Sequence, residues 1–139
     1  MRRDPLRTLL RVRQTVLDAA RQSLADGLAA ERRAIEADQA AREAMRTEEA
    51  AAASLDAGDG AVEGFAAWLP RGREAMRLAV AERDTRAADL VGARARLALG
   101  RAGVEAIASV LDGRMSHADA EEARKAQAEL DEAGRFAGR

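Results

Sequence analysis

From Leu6 to about Leu55 the chain contains one glycine, Gly27, and no proline. Within that stretch Leu10, Leu17 and Leu24 recur every seven residues. A seven-residue apolar repeat without breakers is the pattern of a helix that buries one narrow stripe against a partner helix. Leu28 and Ile35 are expected to continue the seam at its other core position. Arg21, Glu31 and Asp38 fall on the same registers, so the seam is thin. Pro5 suits the first turn of this helix, with Asp4 as its N-cap.

Composition agrees. Ala, Arg, Glu and Leu dominate the 139 residues, while aromatic residues make up only 2%. Alanine and straight-chain residues lose little freedom in a helix, and strand-favouring residues are scarce. Much of the apolar fraction is alanine, which buries little area at roughly 25 cal/mol per Å². A seam between two helices needs less apolar volume than a globular core.

The run Asp56-Ala57-Gly58-Asp59-Gly60 is the strongest breaker. A turn is expected over residues 56–69, with Ala61–Leu69 reading as a short helix or the opening turns of the next one; it holds Phe65, Trp68 and Leu69 and is closed by Pro70. A second helix is then expected over 70–111. Met76, Leu90, Leu97, Val104 and Leu111 share one seven-residue register on it, with Arg83 as its polar member. Val80, Ala87 and Ala108 are expected at the companion position. Asp112-Gly113 interrupts. Ser116 with Asp119 resembles a capping box, so a helix restarts at 116 and runs to 136, or continues with a kink or break near Gly113.

Charge supplies the topology. Residues 1–33 carry net +4, residues 34–67 net −6, residues 68–101 net +4 and residues 102–139 net −3. Folding the chain back near Gly58–Pro70 sets the first segment against the fourth and the second against the third, opposite in sign both times. A parallel homodimer would pair like with like. Exposed pairs contribute only about 0–1 kcal/mol each, so the pattern selects a partner more than it stabilises one. The expected fold is all-α: one domain, residues 1–139, forming a long antiparallel two-helix coiled-coil hairpin, with helix 5–55 as its first arm. A swapped antiparallel dimer makes the same pairs.

No catalytic, cofactor or metal site is expected. Cys is absent, and the single His, His117, sits where a solvated surface residue would. No glycine-rich phosphate loop follows a strand, and a slender hairpin offers no pocket for a small-molecule substrate. Arg2, Arg3, Arg7, Arg11 and Arg13 form a basic cluster, but net charge −1 and a pI near 5.9 argue against an extended nucleic-acid surface. No signal peptide or membrane span is read, which suits a cytoplasmic protein. Phe65, Trp68 and Leu69 are candidates for a docking surface at the turn, since large aromatics anchor interfaces. The plainer alternative is a plug that seals the turn.

Three segments carry a resemblance. Leu6-Arg7-x-Leu9-Leu10-Arg11-x-Arg13 opens a long helix; Phe65-Ala66-Ala67-Trp68-Leu69-Pro70 lies near the turn; Gln127-x-x-Leu130-Asp131-Glu132 lies near the end. Together they resemble the FliJ family of the flagellar type III protein export apparatus. The resemblance implies a non-enzymatic protein with the fold of a rotary-ATPase stalk, serving flagellum biogenesis, protein transport and hence chemotaxis. It implies three partners: the flagellar export ATPase hexamer, the cytoplasmic domain of the export gate, and export chaperones. It places the protein in the cytoplasm, peripherally at the inner membrane. By position Leu6, Leu10, Gln127, Leu130, Asp131 and Glu132 would face the ATPase, and Phe65, Trp68 and Leu69 the gate. The chain departs from the family at Asp112-Gly113, which interrupts the second helix, and at Ala133 and Gly134, where larger residues are expected.

Overall fold

A computed structural model describes residues 4–54 and 56–138. It contains two helices packed against each other: α1 (Pro5–Ala53, 49 residues) and α2 (Asp59–Ala137, 79 residues). The fold is an all-α two-helix hairpin. Contacts divide it into two compact units. A terminal unit joins Met1–Ala19 with Ala98–Arg139, and a turn unit spans Ala20–Leu97.

Asp4 caps α1 as the sequence implies. Its Oδ1 accepts the Leu6 N–H at 3.0 Å, satisfying one of the donors that a helix start leaves unpaired. Pro5, which has no N–H to satisfy, occupies the first helical position. The last described residue of the α1 segment is Ser54; the expected terminus at Leu55 lies outside the described residues. The connection is short. The Ala57 N–H bonds the Ser54 carbonyl at 3.0 Å, and the Ala61 N–H bonds the Gly58 carbonyl at 2.9 Å as α2 begins.

α2 starts earlier than residue 70 and ends at Ala137, within one residue of the expected end at 136. The expected turn over 56–69 shrinks to the few residues before Asp59, and Phe65, Trp68, Leu69 and Pro70 all lie inside α2. Pro70 leaves the Ala66 carbonyl without its usual N–H partner, a defect that costs about 3 kcal/mol in an isolated helix. α2 runs through Gly113 without a break, so the helix continues into 116–136 and does not restart there. Ser116 and Asp119 sit mid-helix and cap nothing.

In the turn unit the seam alternates large with small. Leu90, 1% exposed, packs over Gly27: a Cβ at Gly27 would lie 3.1 Å from Leu90 Cδ2. Burying such a leucine contributes roughly 1.5–3 kcal/mol. In heptad letters, with Leu10, Leu17 and Leu24 at a, the d positions of α1 include Gly27 and Ala34. With Leu90 and Leu97 at a, the d positions of α2 include Gly72, Ala79 and Ala93. Ala34, Ala93 and Gly72 are buried. This corrects the expected companion register. Leu28 and Ile35 are 39% and 38% exposed and flank the seam rather than filling it. Ala87 is exposed, and Ala93 takes the place expected of it.

The terminal unit follows the same rule. Leu17, 6% exposed, packs on Gly100, where a Cβ would lie 3.5 Å from the Leu17 Cα. A side-chain position that near to opposing backbone requires closely approaching helices, which small d residues permit. Leucine a on glycine d is the antiparallel pairing in both units. Arg13 lies over Gly103, so stepping back along α1 steps forward along α2.

Candidate functional site

The sequence nominated two residue groups, one in each unit. In the terminal unit, Leu6 and Leu10 are half-buried at d and a positions of α1. They build the seam and are not free docking surface. Gln127, Leu130, Asp131 and Glu132 are exposed on α2. Asp4 and Arg7 share an open groove of about 340 Å³ with Leu111, Asp112, Arg114, Met115 and Ala118, so α1 begins level with that stretch. Leu130 lies 19 residues past Leu111, or about 28 Å along the helix. The structure therefore does not bring Leu6 and Leu10 together with the C-terminal four.

Every described residue from Asp112 to Gly138 is exposed. This is the feature sequence reasoning missed: α2 outruns α1 by seven turns, as a single helix. Its surface is organised by its own short contacts. The Gln127 Nε2 donates to Asp131 Oδ1 at 2.8 Å, one turn apart. That bond holds Gln127 and Asp131 beside Leu130, which is 67% exposed, while Glu132 points off that side. His117 is exposed, 3.8 Å from Glu121.

The overhang also alters the charge reading. Asp119, Glu121, Glu122, Glu129, Asp131 and Glu132 lie beyond the point where α1 begins, so they do not face Arg7, Arg11 and Arg13. The expected pairing of the first segment with the fourth is thus only partly made in this unit: Arg7 shares its groove with Asp112, while these six acids lie past the start of α1.

In the turn unit, Phe65, Trp68 and Leu69 are half-buried and Pro70 is exposed. The Phe65 and Trp68 rings stack with centroids 6.2 Å apart and planes inclined 24°. The indole lies across Gly72: a Cβ there would fall inside the van der Waals envelope of Trp68 Cη2, Cζ3 and Cζ2. Glycine at 72 therefore makes the seat for the tryptophan. The cluster is at once part seam and part surface, with Val62 beside it at 58% exposure.

The charge reading does hold in this unit. Asp38, 5% exposed at a seam position, binds Arg83 Nη1 across the helices at 2.8 Å and Arg42 Nε along its own helix at 3.1 Å. Two guanidinium donors satisfy both carboxylate oxygens. On the surface, hydrogen bonding to Arg77 holds the Glu74 carboxyl below the usual carboxylate range, and the same bond raises Arg77. Both are exposed, so this pair staples a helix surface and builds no site.

Among the described residues no cluster could hold a metal ion, and no helix is long and apolar enough to cross a membrane. The grooves are open troughs beside the seam. No protein-family model, curated protein or solved structure matches the chain.

Proposed function

We propose that the chain is a non-catalytic coiled-coil stalk of a flagellar type III export apparatus. In this reading it docks in the export ATPase hexamer and links that ring to the cytoplasmic domain of the export gate and to export chaperones, on the cytoplasmic face of the inner membrane. The observation that carries it is the exposed overhang of α2 in a two-helix hairpin. A helix that leaves its partner and continues for 26 residues with every described side chain in solvent has surface to give to another protein. That overhang bears Gln127, Leu130, Asp131 and Glu132, the segment through which the chain resembles the FliJ family.

The test uses purified export ATPase, with hexamer assembly and ATP hydrolysis measured with and without the chain. Stimulation that Leu130→Asp abolishes supports the reading. If neither assembly nor hydrolysis responds to the intact chain, the stalk reading fails, and a coiled-coil adaptor or spacer unrelated to secretion takes its place.

A further inference from the structure

We infer that the acidic overhang of α2 docks on the terminal unit of a second copy of this chain, forming a dimer by reciprocal exchange. The receiving face is the more apolar side of the terminal unit. In an antiparallel pair the two e flanks share one side of the seam and the two g flanks the other. The e side is visible in the groove that joins Arg7 to Met115; the turn unit shows the g side as a groove lined by Ala30, Ala37 and Glu82. On the g side of the terminal unit stand Leu9, Val12 and Val16 of α1, 41–53% exposed, and Leu99 and Val110 of α2, 74% and 51% exposed. Ala106 between them leaves room for another helix. The ionised residues Arg7, Arg11, Arg101, Glu105 and Asp112 occupy e and b positions, away from this side.

One charge does lie on it. The Arg13 side chain crosses Gly103, its Cδ at 3.6 Å and its Nε at 3.9 Å from a Cβ placed there, and among the described residues no carboxylate answers it. The face thus asks for an apolar helix that brings an acid. The overhang is such a helix. At 100° per residue Met115, Ala126, Leu130, Ala133 and Phe136 gather on one side of it, and Met115, Leu130 and Phe136 are 60–75% exposed. The charges among them are Asp119, Glu122 and Glu129, all negative; the overhang's described basic residues, Arg114, Arg124, Lys125 and Arg135, project outside that side. Apolar surface meets apolar surface, and carboxylates meet Arg13.

The dimensions allow it. Asp4–Ala19 is about 24 Å long and the overhang about 39 Å. A helix about 10 Å wide laid along 24 Å covers a strip of about 240 Å² on each surface. Counted on both surfaces and for both tails, exchange hides on the order of 1,000 Å², the threshold for a specific interface.

The chain lacks cysteine, so single cysteines report the contact directly. Val12→Cys and Leu130→Cys full-length variants, distinguishable by mass, are mixed and mildly oxidised. The expected product is the disulfide-linked Val12→Cys/Leu130→Cys heterodimer, with none formed when Glu105→Cys on the charged side replaces Val12→Cys. Sedimentation of the cysteine-free chain is expected to show a dimer that Arg13→Glu weakens about tenfold or more. A chain that stays monomeric at about 100 µM, or that cross-links equally through residue 105, overturns the inference. This docking does not depend on the export reading: failure to dimerise leaves the ATPase experiment standing, and the reverse also holds.

Discussion

Glycine decides more at the residue scale than leucine does. Gly113 and Gly134 have nothing within 4 Å of where a Cβ would sit, so alanine there should gain helix propensity without a clash. Gly113→Ala is expected to stabilise α2 by about 0.5–1 kcal/mol, visible as a higher thermal midpoint by circular dichroism. Gly72→Ala carries the same propensity gain but collides with the Trp68 ring. It should therefore stabilise less than Gly113→Ala, or destabilise, and it should shift the tryptophan emission because the indole must leave its seat. Equal gains with unchanged emission would contradict the seat. The seam acid behaves differently again. Removing Asp38 leaves Arg83 facing a buried position, but Arg83 remains 37% exposed and can reach water. Asp38→Ala is expected to cost about 1–3 kcal/mol, below the 3–5 kcal/mol of a fully buried pair. The double replacement Asp38→Leu/Arg83→Leu should recover most of that loss, as a double-mutant cycle in denaturant would show.

What the sequence disclosed, it disclosed through large residues. Leu10, Leu17, Leu24, Leu90 and Leu97 stand where the seven-residue repeat puts them, and charge patterning paired residues 34–67 with 68–101 as Asp38 and Arg83 confirm. The companion register was misread because Leu28 and Ile35 are the larger apolar residues nearby, whereas helices this close admit only Gly27 and Ala34. Counting hydrophobicity cannot find a core position filled by glycine. Trp68 was legible as a candidate, but its seat on Gly72 was not, because Gly and Pro beside aromatics read as a turn.

At the scale of elements, two breaker signals failed to break α2. Pro70 and Gly113 both lie within it, so each marks stored cost. Pro70→Ala restores an N–H to the Ala66 carbonyl and is expected to raise stability by up to about 3 kcal/mol. The overhang pays no packing penalty for substitution, but it also receives no packing support. Most helical stability in proteins comes from tertiary contact, so in protein dilute enough to be monomeric the amides beyond Asp112 should exchange with deuterium far faster than those from Leu90 to Ile107. Protection spread evenly along α2 in dilute protein would mean that the overhang already has a partner.

Across the whole molecule, the two units carry different kinds of surface, and this separates their roles experimentally. The terminal unit offers a single exposed helix with Leu130 at 67% exposure. The turn unit offers a half-buried aromatic pair seated on Gly72. If the export reading holds, Leu130→Asp should abolish the ATPase response while binding to the gate's cytoplasmic domain is retained. Trp68→Ala should weaken gate binding while the ATPase response is retained. Helix content should change little in either variant, since Leu130 contacts no core and the Trp68 ring lies over its own helix. The controls follow from the same geometry: Leu17→Ala cuts the terminal seam and should cost about 2–4 kcal/mol, reducing the ATPase response through lost structure, with helicity falling alongside. A Trp68→Ala variant that loses helicity to a similar extent would identify the aromatic pair as a structural plug, and the gate-binding surface would then have to be sought elsewhere on the turn unit.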